Sequence, residues 1–193
     1  MFVFLIHGAW STRNSFNFIE DNLPHNTKTL SYCYDGTTSS LQQIIDGANK
    51  ALNKETEDCV VIGHSLGGLI AINLHDNEKV SKIITLAAPL SGIEIPVVFK
   101  PFVYYNTPLL QQISPQSRFI KQIHDGRYTK SITCCFATRG YNPLINERSD
   151  GLITLATQQQ WTPPYSLQYD IECNHYEILQ NRTVVEIIKR QLK

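Results

Sequence analysis

The sequence has no excess of charge of either sign: its 193 residues carry 17 Lys+Arg against 17 Asp+Glu. Without a basic stripe to track a phosphate backbone, nucleic acid is not an expected partner, and no acidic tail marks a disordered interaction segment. No apolar run approaches the ~18 residues of a membrane-spanning helix, so no transmembrane segment is expected. The opening "MFVFLIHGAW" lacks the basic start and cleavable apolar stretch of a secretion signal. The five cysteines are odd in number and lack metal-site spacing. They read as buried, reduced thiols of a cytoplasmic protein, the mature form of a secreted precursor being the alternative, with no metal and no cofactor expected. Repeats and low-complexity tracts are also missing.

What is present suffices for a core. A composition of 42% hydrophobic and 18% charged residues suits one domain over 1–193. Six segments read as strands: Phe2 to His7, Thr29 to Tyr34, Cys59 to His64, Lys82 to Ala88, Ser131 to Thr138 and Tyr165 to Cys173. Four are nearly continuous apolar runs, the pattern of parallel strands buried on both faces. Helical periodicity lies between them. "SSLQQIIDGANKALNK" places Leu41, Ile44, Ile45, Ala48 and Leu52 on one face behind Ser39 or Ser40 as cap. "NRTVVEIIKRQLK" offers Asn181 as cap and ends in cations that suit the helix dipole. Strand alternating with helix predicts an α/β fold, a mostly parallel sheet of about six strands covered on both sides. The stretch 91–130 breaks the rhythm with Pro96, Pro101, Pro108 and Pro115 and reads as an insertion or small cap within the same domain.

"CVVIGHSLGGLIAI" interrupts an apolar run with Gly63-His64-Ser65-Leu66-Gly67, a G-x-S-x-G pattern at a strand end and a helix start. Glycines at both ends let strand and helix approach closely, while the serine is forced onto a strained turn at the carboxyl edge of the sheet. The N–H of Leu66 then points from a helix start, where anionic charge is favoured. A tight turn with a fortuitous serine is the plain alternative. In "FLIHGAW", Gly8 permits a sharp turn that directs the Ala9 N–H towards Ser65, so Ala9 and Leu66 together would form an oxyanion hole. His7 reads as a brace for that loop and His64 as structural support. In "NERSDGLIT", Asp150 precedes Gly151 beyond a strand end, where an acid could orient a histidine; a simple Asp-Gly turn is the alternative, Glu147 is a nearby rival and Asp170 is worse placed. In "ECNHYEIL", His175 follows the last strand and could take the Ser65 proton while Asp150 holds its Nδ1–H. His25, His75 and His124 read as surface residues.

The order Ser65, Asp150, His175 is that of the nucleophile-elbow hydrolases and differs from both protease orders. On "HGAW", "GHSLGG", "AAPLSG", "SDGLIT" and "NHYEIL", the chain resembles the α/β-hydrolases, and among them the small lipases and esterases. "SPQSRFI" is similar to a segment of lipase-like families. The resemblance implies Ser65 as nucleophile, Asp150 as acid, His175 as base and Ala9 with Leu66 as oxyanion donors. It implies a minimal α/β-hydrolase fold without the two leading strands, with a short insertion instead of a large lid. The expected substrate is a small-molecule acyl ester or lipid. A thioesterase, amidase or acyltransferase would use the same triad, and a catalytically silent binding protein is the alternative from another class. Ile93 to Tyr105 could wall an acyl groove or form a flap, with plain packing as the alternative.

Overall fold

Six strands, β1 (Phe2–Ile6), β2 (Thr29–Tyr32), β3 (Cys59–His64), β4 (Val80–Leu86), β5 (Ser131–Ala137) and β6 (Leu167–Ile171), pair in the order β2-β1-β3-β4-β5-β6, every pair parallel. The computed structural model describes residues 1–94 and 108–192. The helices are α1 (Asn17–Asn22), α2 (Leu41–Leu52), α3 (Leu66–Ile72), α4 (Pro108–Gln111), α5 (Arg118–Asp125), α6 (Leu155–Gln159) and α7 (Arg182–Gln191). This is the predicted architecture, with each strand within a few residues of its expected bounds.

The continuous apolar runs are explained by burial on both faces of the sheet. In β1, Phe2, Phe4 and Ile6 face one hydrophobic cluster, while Val3 and Leu5 face the other. In β3, Cys59 and Val61 join the first cluster, Val60 and Ile62 the second. Helix α2 covers the first face with Leu41, Ile44, Ile45, Ala48 and Leu52, the predicted stripe. Its start is a capping box: Ser40 Oγ accepts from the Gln43 N–H at 3.2 Å and Gln43 Oε1 accepts from the Ser40 N–H at 2.8 Å. Helix α7 covers the second face with Val184, Val185, Ile187 and Ile188, and Asn181 caps it by accepting from the Thr183 N–H.

The described parts of 91–130 are not set apart from this core. Ile113, Ile120 and Ile123 belong to the first cluster, and the Ile93 N–H donates to the Ile113 carbonyl at 2.8 Å. Of Ile93 to Tyr105, residues 95–105 lie outside the described residues, and so does any groove or flap they form. The sheet edge beside β1 is closed by β2, four half-buried residues long; such short edges offer little template for unwanted pairing.

The register sets up the site. Ile6 aligns with Gly63, His64 with Leu86, Leu86 with Cys135 and Ala137 with Ile171. The strands therefore end along one rim, and the loops after β1, β3, β5 and β6 meet there, where parallel sheets present their ligands.

Candidate active site

Ser65 occupies the turn between β3 and α3 at φ 53° and ψ −121°, a conformation that costs a non-glycine residue of order 1–3 kcal/mol. The Ser65 N–H donates to the Leu86 carbonyl at 2.8 Å and its carbonyl accepts from the Gly68 N–H at 2.9 Å, which hold the strained backbone from both sides. A Cβ on Gly63 would lie 2.1 Å from the Gly67 carbonyl oxygen, and one on Gly67 would lie 2.1 Å from that of Ile6. Strand, turn and helix are thus in backbone contact. Gly8 brings the first loop in as well, since a Cβ there would stand 3.1 Å from Ser65 Cβ. Leu66 opens α3, so its N–H has no carbonyl one turn back to donate to. The Ala9 N–H has no acceptor among the described residues.

Asp150 and His175 are both buried, and His175 Nδ1 lies 2.6 Å from Asp150 Oδ2. Their backbones are joined too, the His175 N–H donating to the Asp150 carbonyl at 3.0 Å. Asp150 is also a turn residue: its Oδ1 accepts from the N–H groups of Leu152 at 2.9 Å and Ile153 at 2.7 Å, while Gly151 takes φ 93°. The turn fixes one carboxylate oxygen and leaves the other for the histidine. Gly140 admits this loop to the end of β5, because a Cβ there would lie 1.9 Å from the Asp150 carbonyl carbon. Of the rivals, Glu147 is exposed, and Asp170 lies in β6 bonded to Gln159.

Ser65 is linked to this pair through its neighbour. His64 Nε2 donates to the His175 carbonyl at 2.8 Å, and the two imidazoles lie 4.8 Å apart, centroid to centroid. Among the described residues, Ser65 Oγ makes no hydrogen bond to His175. His7 stacks on Tyr34 at 4.4 Å, and the Tyr34 hydroxyl donates to the His7 carbonyl at 2.9 Å, bracing the Ala9 loop. Tyr34, Gln158 and Gly140 escaped the sequence reading. His25 is exposed as expected, but His75 and His124 are half-buried. Four cysteines are buried and unpaired, whereas Cys33 is exposed, against the expectation that all are buried. Burial pushes the Cys59 and Cys173 thiols up to about 12, which leaves them protonated and inert.

Two hollows adjoin the rim. One, of ≈ 160 Å³, is lined by Ala9, Trp10, Tyr34, Asp35 and Leu109 among others. The other, of ≈ 510 Å³, opens over Asp150 and His175 and is rimmed by exposed Tyr141, Leu152 and Tyr176. Among the described residues, no cluster of His, Cys, Asp or Glu could hold a metal ion. No helix among them is long and apolar enough to cross a membrane.

Burial, and then the neighbouring His175, push His64 down to about 3, so it stays neutral. Below pH 6.5 the unfolded chain protonates this residue and the folded chain does not. Stability from this group is present above 6.5 and is lost as pH falls towards 3. We expect His64→Gln to flatten the fall in stability between pH 6.5 and 4 by up to about 1.4 kcal/mol per pH unit. Urea midpoints across that range measure it, and parallel curves for both proteins would refute it.

A parallel six-stranded sheet with a serine elbow at its carboxyl rim defines the α/β-hydrolase fold. The chain belongs to the PGAP1-like alpha/beta domain family, whose model matches residues 15–122, a span that holds Ser65 but neither Asp150 nor His175. No curated protein sequence matches it. Among solved structures it is similar to a lipase-esterase related protein from Clostridium acetobutylicum, at TM-score 0.70 and 15% identity, covering 97% of this chain and 93% of that one. A monoacylglycerol lipase from Paleococcus ferrophilus gives TM-score 0.70 at 13% identity, covering 99% and 91%. A pyrethroid hydrolase from Sphingobium faniae gives 0.64 at 13%, covering 97% and 95%. At such identities the likeness concerns the fold.

Proposed function

We propose that the chain is a serine hydrolase of carboxylic esters. The observation that carries this reading is the 2.6 Å contact between buried His175 Nδ1 and Asp150 Oδ2, on the rim that holds the strained Ser65. The lipase and esterase names among its structural neighbours support it. Ser65 Oγ attacks the acyl carbonyl carbon as His175 Nε2 takes its proton. The carbonyl oxygen gains charge between the N–H groups of Ala9 and Leu66, and collapse expels the alkoxide as His175 returns the proton to it. Water then cleaves the acyl-Ser65 ester by the same steps. Asp150, accepting from Nδ1–H, keeps the proton-taking nitrogen turned to Ser65 and stabilises the imidazolium. An uncharged acyl group suits the hollow beside Ala9. Asp35, on its wall, is held ionised by hydrogen bonds from Thr37 and Thr38 that draw its carboxyl down to about 2.

The test is a fluorophosphonate probe, which labels only an activated serine, followed by p-nitrophenyl esters, acyl-thioesters and amides of graded acyl length. We expect labelling, and esters turned over faster than amides. Thioesters faster than esters would reassign the substrate class. No labelling of the folded protein would favour a silent binding protein instead.

A further inference from the structure

Gln158, in helix α6, is completely buried yet polar. Both of its amide N–H groups and its carbonyl oxygen are engaged. Oε1 accepts from the Ala137 N–H at 3.0 Å, while Nε2 donates to the Ala137 carbonyl at 3.0 Å and to Asp150 Oδ2 at 3.2 Å. An amide has two N–H donors and one carbonyl acceptor on a planar head, and all are used here. Ala137 is the last residue of β5, so the strand end grips the glutamine on both sides, as a neighbouring strand would. The second N–H meets the same carboxylate oxygen that faces His175 Nδ1.

We propose that Gln158 is a positioning residue that locks the Asp150 carboxylate against His175, using the end of β5 as its anchor. The inference rests on the triad reading for its catalytic consequence, but not for its structural content. With Oδ1 tied to the Asp150 turn and Oδ2 shared between Gln158 and His175, the carboxyl group cannot rotate. Its negative charge is divided between a neutral donor and the imidazole. Removing the amide donor concentrates that charge on His175, favours the imidazolium and raises its titration midpoint. The other groups around His175 are fixed in their effect. His64 is neutral at 4.8 Å, Tyr176 meets the ring edge-on at 5.3 Å, and Arg139 and Glu177 line the open groove.

The test follows the His175 ring by NMR in histidine-labelled protein, assigned by its loss in His175→Gln. We expect Gln158→Met to raise the midpoint by about half a unit or more. Gln158→Leu, which also lacks the donor and adds no charge, stands in if the first does not fold. In wild type, the Gln158 side-chain amide resonances should move as His175 titrates. If esters are turned over, kcat should fall roughly ten- to a hundredfold with little change in KM. Ile44→Ala, a cavity under α2, should lower the melting temperature without moving the midpoint. An unmoved midpoint in a folded Gln158 variant, or Gln158 resonances indifferent to the titration, overturns the proposal. These readouts need no turnover, so an inactive wild type would sink the triad reading and leave this one to be decided separately.

Discussion

Replacing Ser65 with alanine should lower ester turnover by about four orders of magnitude or more and abolish fluorophosphonate labelling, while the folded protein survives. The chemistry assigned to Ser65 resides in one oxygen, and no exposed thiol lines either hollow at the rim to replace it. Cys33 is the exposed thiol, and it lies beyond β2, outside both hollows at the rim. The structural cost is small because the bonds that hold Ser65, to Leu86 and from Gly68, are made by its backbone. Alanine meets the same φ of 53° with the same Cβ. The melting temperature should stay within a few degrees. The measurement is initial rates on purified proteins of equal folded fraction. Wild-type rates in the variant would end the assignment of the nucleophile.

Gly67→Ala should do the opposite, attacking the fold first. The new methyl would lie 2.1 Å from the Ile6 oxygen and 2.6 Å from the His7 oxygen. Both are backbone atoms in or beside a central strand, so no rotamer change relieves the clash. Overpacking of this kind costs about 3 kcal/mol or more, against a typical total of about 5–15. We expect a sharply lowered urea midpoint or insoluble protein. Any folded fraction should be slow, because pushing α3 from β1 separates the N–H groups of Leu66 and Ala9. Gly36→Ala is the control, since its methyl meets two side-chain atoms at ordinary contact distance, Leu109 Cδ2 at 3.4 Å and Tyr34 Cε2 at 3.7 Å. Equal stability of the two variants would contradict the close packing at the elbow.

The fold was legible because β1, β3, β4 and β5 are largely buried on both faces and therefore read as nearly continuous apolar runs. Helices α2 and α7 were legible from their caps and stripes. Helices α1 and α6, of six and five residues, are too short for periodicity to emerge. At the site, Asp150 and His175 stand out as polar residues in the loops that follow β5 and β6, the first of them next to Gly151. Gln158 could not stand out. It is one of three glutamines in "QQQ", and burial, which no local pattern encodes, distinguishes it from exposed Gln160. Tyr34 reads in the sequence as the end of a strand, and its brace on His7 spans 27 positions of chain. A long-range hydrogen bond of that sort leaves no periodic trace.

The all-parallel sheet has a consequence for how the molecule comes into being. Parallel neighbours can be joined only through crossovers, so contacts close late and across long stretches of chain. Residue 65 emerges well before residues 150 and 175, and the last of these follows the edge strand β6. A nascent or partly folded chain would carry the serine hydroxyl with no partner to activate it. Reactivity would then be an all-or-none property of the completed molecule.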